Sequence, residues 1–316
     1  MAVRVAVLDD YQDVAREFGD WGRLGDRIEL SVFTDHVDDP DELARRLADT
    51  EVVVAMRERT AFPGPLLERL PRLRLLVTTG MANAAIDVAA ARRRGVTVSG
   101  TRGVATGTPE LTWGLILSLV RGIPDESRRV REGGWQRTVG RDLAGRTLGV
   151  IGLGRLGARV ATVGRAFGMD VVAWSQNLSA ERAAELGVRA VSREELLTGS
   201  AVVTVHLQLS DRTRGLLGEP ELRSMRRDAY LVNTSRGPIV DEAALLRALR
   251  EGWIAGAGLD VYDVEPLPAD HPLRTAPNTV LTPHLGYVTR DTYRVFFGDA
   301  VEDVEAFLAG RPVRLL

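Results

Sequence analysis

Short apolar runs alternate with stretches of helical periodicity along almost the whole chain. In the first hundred residues, runs at 4–8, 28–33, 51–55, 75–78 and 96–98 read as strands. Amphipathic patterns between them predict helices at 11–18, 41–48, 65–69 and 87–94, the second capped by Asp39 ahead of Pro40. A Gly-, Ser- and Thr-rich run at 99–107 marks a crossing, followed by an apolar helix at 109–120 and a charged one through Arg131. The rhythm then restarts, with strands at 148–151, 171–174, 202–205, 230–233, 255–259 and 280–281. Helices are expected at 155–167, 180–186, 193–197, 220–225 and 241–250, and a long one at 289–308 that ends at Gly310 and Pro312. Strands alternating with helices imply an α/β protein of two doubly wound parallel sheets, with the last helix returning to cover the first.

One strand-to-helix junction stands out. The apolar run ending at Ile151 meets Gly152-Leu153-Gly154-Arg155-Leu156-Gly157, a G-x-G-x-x-G turn at the start of a helical pattern. The first glycine permits a sharp turn, the second clears the approach of a pyrophosphate, and the third lets helix and strand pack closely. The helix N-terminus then offers N–H groups and a positive dipole end to a phosphate. This pattern points to a dinucleotide site.

Composition narrows the chemistry. The 316 residues carry a formal net charge of −2 and show no basic stripe, which gives no footprint for nucleic acid. No apolar run reaches the roughly 18 residues of a membrane span, and the start lacks the apolar core of a signal peptide, so a cytoplasmic protein is expected. The chain has no cysteine and no lysine. Thiolate, Schiff-base and lysine-base chemistry are therefore excluded. The four histidines, His36, His206, His271 and His284, are not spaced as zinc ligands, and no metal is expected. Proton transfer near neutral pH falls to histidine, carboxylate or tyrosine.

Three later strand ends carry unusual polar groups. Asn233-Thr234-Ser235-Arg236-Gly237 puts an arginine in a small-residue turn. Asp260 and Glu265 follow the next strand, and Thr282-Pro283-His284-Leu285-Gly286 puts a histidine after the last. Singly, Arg236 reads as a surface charge, Glu265 as a loop acid and His284 as a cap. Ligands of open parallel sheets bind beyond the carboxyl ends of strands, and that shared position points to joint function. The strand after the glycine turn ends in Ser175, where a Rossmann unit usually places the acid that binds the ribose. Without it the preference for NAD(H) over NADP(H) relaxes. No arginine follows, only Gln176 and Asn177, so NAD(H) stays slightly favoured and NADP(H) possible; Arg155 and Arg182 are candidate helpers or plain helix charges.

In this order and spacing the motifs resemble those of the D-isomer-specific 2-hydroxyacid dehydrogenases, which include phosphoglycerate dehydrogenases and glyoxylate/hydroxypyruvate reductases. The resemblance covers essentially the whole chain. It implies that Arg236, Glu265 and His284 are catalytic. It implies cofactor contacts at Gly152, Gly154, Arg155, Leu156, Gly157, Ser175, His206, Thr234, Asp260 and Gly286. Substrate contacts would come from Arg57, Met81, Ala82 and Arg236. A flavodoxin-like substrate domain (1–101 with 287–316) would surround a Rossmann-type NAD(P) domain (102–286), and an arm near 109–135 would join a homodimer.

The chemistry supports these roles independently. An arginine fork matches a carboxylate and can polarise a carbonyl. An imidazolium is a competent acid near neutrality, and a carboxylate on its far nitrogen fixes the tautomer and favours the charged form. The hydride would come from the nicotinamide, with a small 2-keto or D-2-hydroxy acid as partner. Departures from the family pattern bear on the substrate. The usual Gly-x-Gly-x-Asp-Asn loop is Gly80-Met81-Ala82-Asn83-Ala84-Ala85 here, whose backbone N–H groups could still hold a carboxylate. Arg57 or Arg59 could hold an additional anion or be surface charges. Gln208 replaces a common Pro, and Tyr287 a common Trp. The chain ends soon after Gly310, so a carboxy-terminal regulatory domain is not expected. The competing readings are an NAD(H)-sensing binding protein of the corepressor type and an oxidoreductase of formate or phosphite; Glu265, glutamine in the formate enzymes, argues against formate. His36 and His271 are expected to be structural or exposed.

Overall fold

The computed structural model describes residues 2–316. The chain forms two compact units, one of residues through Val104 together with Thr289–Leu316, the other Ala105–Val288. These breaks fall two or three residues after the 101/102 and 286/287 positions expected from the sequence.

In the first unit, five parallel strands, β1 (Val3–Val7), β2 (Ile28–Val32), β3 (Val52–Ala55), β4 (Leu75–Thr78) and β5 (Thr97–Gly100), run in the order β2-β1-β3-β4-β5. That is the flavodoxin-like order. β3 and β4 are buried at every residue, as the continuous apolar runs of a sheet covered on both faces require. β2, at the edge, has no fully buried residue. The helix Pro40–Leu47 is started by the Asp39 carboxylate, which accepts from the Asp41 N–H. The segment expected to be helical at 11–18 is helical only over Ala15–Phe18. Asp13 adopts a left-handed φ of 52°, and the Asp10 carboxylate takes the Ala15 N–H at 2.7 Å, so the helix starts later than periodicity suggests. A 3-10 segment, Trp21–Arg27, is an element the pattern missed.

The long helix Arg290–Leu308 belongs to this unit, packing on helix Ala15–Phe18 and on β4. Its buried face includes Phe296, Phe297, Val301 and Val304, and also two acids, Asp299 and Asp303. Arg102 donates to Asp299 from its side chain and its backbone N–H, and Arg314 reaches Asp303 at 3.0 Å.

In the second unit, seven parallel strands, β6 (Thr147–Ile151), β7 (Asp170–Trp174), β8 (Arg189–Ala190), β9 (Val202–Val205), β10 (Tyr230–Asn233), β11 (Gly256–Leu259) and β12 (Thr279–Leu281), run β12-β11-β10-β9-β6-β7-β8. This is the Rossmann order with one strand added. β8 has two residues and no apolar run to announce it. Helix Gly107–Arg121 packs on β10, β11 and β12, and Gly122 in the left-handed conformation ends it before helix Ile123–Arg131, which buries no residue.

Burial pushes the Asp303 carboxyl up to about 7, against the opposing pull of Arg314. Between the ordinary carboxylate range and pH 7 the folded chain thus keeps a proton that the unfolded chain has lost. The contribution of this group to stability is largest at low pH and falls as pH rises, by about 1 kcal/mol per pH unit in that window. Asp303→Asn should therefore melt increasingly above the parent from pH 4 to 8. Parallel melting curves for the two proteins would contradict this.

Candidate active site

The glycine turn joins β6 to the helix Arg155–Ala166. Gly152 has φ 96°, and a Cβ there would come within 2.6 Å of the His206 carbonyl oxygen. At Gly157 a Cβ would overlap the Gly152 carbonyl, whereas at Gly154 it would meet nothing within 4 Å. Turn and helix are therefore tightly joined, while the space over Gly154 stays open. No side chain caps the helix; Arg155 on its first turn is exposed and Leu156 half-buried. β6 lies between β7 and β9, so this turn sits where the strand order reverses, the place where ligands of such sheets bind.

His206 follows β9, its N–H donating to the Ile151 carbonyl at 2.7 Å. Burial pushes its imidazole down to about 4, which leaves the ring neutral at pH 7. Nε2 bonds the Thr204 hydroxyl at 2.9 Å, and the buried Nδ1 has no partner among the described residues. An open glycine turn beside an unsatisfied buried nitrogen fits a polar ligand such as a dinucleotide. Ser175 is half-buried after β7, next to exposed Gln176 and Asn177. Arg182 pairs with Glu185 at 2.6 Å.

The other strand ends of this sheet carry the acid–base groups. His284 Nδ1 lies 2.6 Å from Glu265 Oε2, and Glu265 Oε1 accepts from the Tyr262 N–H at 2.9 Å. Tyr287 stands edge-on to the imidazole, ring centres 5.2 Å apart. His284 has a left-handed φ of 55°. Its loop is held by Asp260, a fully buried carboxylate that accepts from Thr282 Oγ1 (2.6 Å), Leu285 N (2.7 Å) and Gly286 N (2.9 Å). Burial raises the Asp260 pKa, opposed by these hydrogen bonds and by the positive field of His284.

Arg236 is half-buried after β10, with Nη1 on the Ser235 carbonyl at 2.7 Å. Its turn is fixed by Asn233, which accepts from Ser235 N–H and donates to the Arg236 carbonyl. Gly237 abuts the Tyr262 backbone so closely that a Cβ would overlap it, bringing the arginine turn against the loop that carries Glu265. Thr234 Oγ1 shares a 2.9 Å hydrogen bond with Thr112.

Arg57, Met81 and Ala82 belong to the first unit. Arg57 follows β3, and Met81 and Ala82 lie exposed in the loop after β4. His36 and His271 are both partly buried and paired, His36 with Asp9 (2.8 Å) and Asp38 (3.0 Å), His271 with Glu242 (2.9 Å). Among the described residues no three His, Asp or Glu side chains gather as a metal site.

Sequence reading missed a supporting layer. Thr282 holds Asp260, and Thr108 Oγ1 donates to the Gly286 carbonyl at 3.0 Å while Thr112 reaches Thr234. The signal available was a pair of threonines four apart on a largely apolar helix.

Gly157→Ala should lower the melting temperature, costing about 1–3 kcal/mol for the forced shift, and weaken NADH binding. Gly154→Ala has room for its methyl, so it should melt like the parent yet bind NADH at least tenfold more weakly. Thermal melts and fluorescence titration separate the two; equal melting of both variants would contradict the steric assignment.

The model of the D-isomer specific 2-hydroxyacid dehydrogenase NAD binding domain matches residues 113–286. A glyoxylate reductase from Aeropyrum pernix is 44% identical over 256 residues, covering 78% of this chain and 76% of the relative. The crystal structure of a phosphoglycerate oxidoreductase from Vibrio cholerae superposes with a TM-score of 0.93 at 38% identity, covering 98% of this chain and 99% of that one. D-Lactate dehydrogenase from Aquifex aeolicus, complexed with NAD and lactic acid, superposes with a TM-score of 0.81 at 28% identity, covering 97% and 96%. The glycine turn at the sheet's reversal, the paired imidazole and carboxylate, and these likenesses agree: the chain belongs to the D-isomer-specific 2-hydroxyacid dehydrogenase family.

Proposed function

We propose that the protein is an NAD(P)-dependent D-2-hydroxyacid dehydrogenase acting on a small 2-keto or D-2-hydroxy acid. The observation that carries this reading is the 2.6 Å contact between His284 Nδ1 and Glu265 Oε2, on the sheet edge that also bears Arg236 and the glycine turn. The NAD(H)-sensing alternative is not favoured: the relatives are enzymes by name.

In the reducing direction, Arg236 forks onto the substrate carboxylate and draws charge from the C2 carbonyl. Glu265 holds Nδ1–H of His284, so Nε2 is the nitrogen that faces the substrate oxygen. His284 gives that oxygen a proton, and in the oxidising direction it takes the proton back. Tyr262 N–H, bonded to the second oxygen of Glu265, keeps the carboxylate turned toward the ring. When bound, the nicotinamide dinucleotide supplies or receives the hydride at C2. Its phosphates would lie over Gly152, Gly154, Arg155, Leu156 and Gly157, with Ser175 and His206 toward the adenosine side. Thr234, Asp260 and Gly286 would border the nicotinamide end, Asp260 through the loop it holds. NAD(H) is favoured over NADP(H), because no arginine follows Ser175 to grip a 2′-phosphate. Substrate contacts in the first unit would come from Arg57, Met81 and Ala82. We read the protein as a cytoplasmic homodimer. Among the described residues no helix is long and apolar enough to cross a membrane. The helix Ile123–Arg131 and the segment after it present Ile123, Val130, Trp135 and Val139 to solvent, an apolar face suited to a second copy.

His284→Ala and Arg236→Ala should each lower kcat/KM with glyoxylate and NADH by roughly 10²–10⁴, with NADH affinity retained in fluorescence titrations. If glyoxylate, hydroxypyruvate and larger 2-keto acids all leave NADH and NADPH unoxidised in the parent protein, the reading fails.

A further inference from the structure

The turns that carry Arg236 and His284 leave strands that are not neighbours. β11 lies between β10 and β12, so the two strand ends stand about 10 Å apart. The ladder bonds stop at Asp260, whose N–H donates to the Asn233 carbonyl, and at Thr282, whose N–H donates to that of Leu259. Beyond those residues each turn touches the one after β11. The arginine turn meets Tyr262 through Gly237, and the histidine loop meets Asp260. Strand pairing does not join the two turns to each other.

Helix Gly107–Arg121, which packs across β10, β11 and β12, does join them. Thr108 and Thr112 lie one turn apart on it, about 6 Å along its axis. Thr108 Oγ1 donates to the carbonyl of Gly286, two residues after His284, at 3.0 Å. Gly286 is gripped closely: a Cβ there would come within 3.0 Å of Thr108 Oγ1 and 3.2 Å of Asp260 Oδ2. Thr112 is fully buried, and its Oγ1 donates to the Thr108 carbonyl at 2.8 Å. A hydroxyl has one proton to give. With that proton on the Thr108 carbonyl, the 2.9 Å contact between Thr112 Oγ1 and Thr234 Oγ1 draws its proton from Thr234. Three hydroxyls thus form a directed chain that starts in the arginine turn, passes through one turn of helix and ends on the histidine loop. Linked hydrogen bonds at a buried site strengthen one another.

Resting on the dehydrogenase reading above, we infer that Thr108 and Thr112 are positioning residues for the reaction, which set the distance between Arg236 and His284 through the turns that carry them. In that reading Arg236 holds the substrate carboxylate and His284 faces the oxygen on the adjacent carbon. The two side chains must therefore be placed together closely, since a misplacement of about 1 Å can cost on the order of a hundredfold in rate. Thr112 is the middle of the chain. A valine there fills the same volume and loses both hydroxyl bonds.

The test uses the full chain with glyoxylate and NADH. Thr112→Val should lower kcat about tenfold or more. Glyoxylate KM and NADH affinity should stay within about threefold, because the carboxylate still finds Arg236 and only alignment in the transition state suffers. Thr112→Ser keeps the hydroxyl and loses a methyl from a buried position, so it should destabilise the fold yet hold kcat within about threefold of the parent. A purely structural role would instead make activity follow the melting temperature. Thr108→Val, at a half-buried position, should lower kcat in the same direction. In the double valine variant the two losses should overlap rather than multiply. A kcat within threefold of the parent in both valine variants, equal losses in Thr112→Ser and Thr112→Val, or multiplied losses in the double variant would overturn the inference while leaving the dehydrogenase reading intact. Absence of turnover of every 2-keto acid by the parent would instead defeat that reading.

Discussion

Asp260 holds the loop that carries His284, and most of the acid–base geometry in the second unit follows from that hold. A carboxylate with no solvent exposure is unfavourable unless its oxygens are satisfied. Here the hydroxyl of Thr282 and the N–H groups of Leu285 and Gly286 satisfy them. Those donors bracket His284, whose left-handed backbone costs on the order of 1 kcal/mol or more. Three strong hydrogen bonds around one strained residue leave the loop a single arrangement. In that arrangement Nδ1 meets Glu265, and Glu265 is itself steadied by the Tyr262 N–H. The tautomer of the imidazole is thus set by a chain of contacts that begins at a buried acid on the neighbouring strand end.

Both sheets place their polar chemistry at the carboxyl ends of parallel strands, for one reason. Strands buried on both faces admit only small polar side chains that find a hydrogen bond, such as Thr204 and Asn233, and the turns that leave them supply exposed backbone groups. Gly152 and His206 meet where the larger sheet reverses its order, and Asp9 and Arg59 meet at the corresponding place in the smaller one.

This regularity explains what could be read from the sequence. Nearly every strand was visible as an apolar run, and Arg236, Glu265 and His284 stood out because each follows one. β8, at two residues, left no run to find, and the helix expected from Tyr11 was shortened by a left-handed Asp13 that periodicity does not register. The donors to Asp260 were not legible either. They lie more than twenty residues along the chain, and only the pairing of β11 with β12 brings them to the carboxylate. Arg57 and Arg59 share one short motif, yet the first, in a left-handed backbone, donates to the carbonyl after β4 and the second to the Asp9 carbonyl after β1.

A chain without lysine must build every fixed positive charge from guanidinium, and the way it does so is consistent. Arg236 rests one N–H on the Ser235 carbonyl, Arg57 one on that of Thr79, and Arg59 one on that of Asp9. An ammonium anchored by one hydrogen bond can still swing on its flexible stem. A planar guanidinium anchored by one N–H has the direction of its remaining donors largely decided. The carbonyls that do the anchoring lie just beyond the ends of strands, the most rigid points available to a loop. Arginine thereby converts sheet geometry into the orientation of a charge, and whether that charge meets a ligand or a neighbouring strand depends on which way the backbone turns as it leaves the sheet.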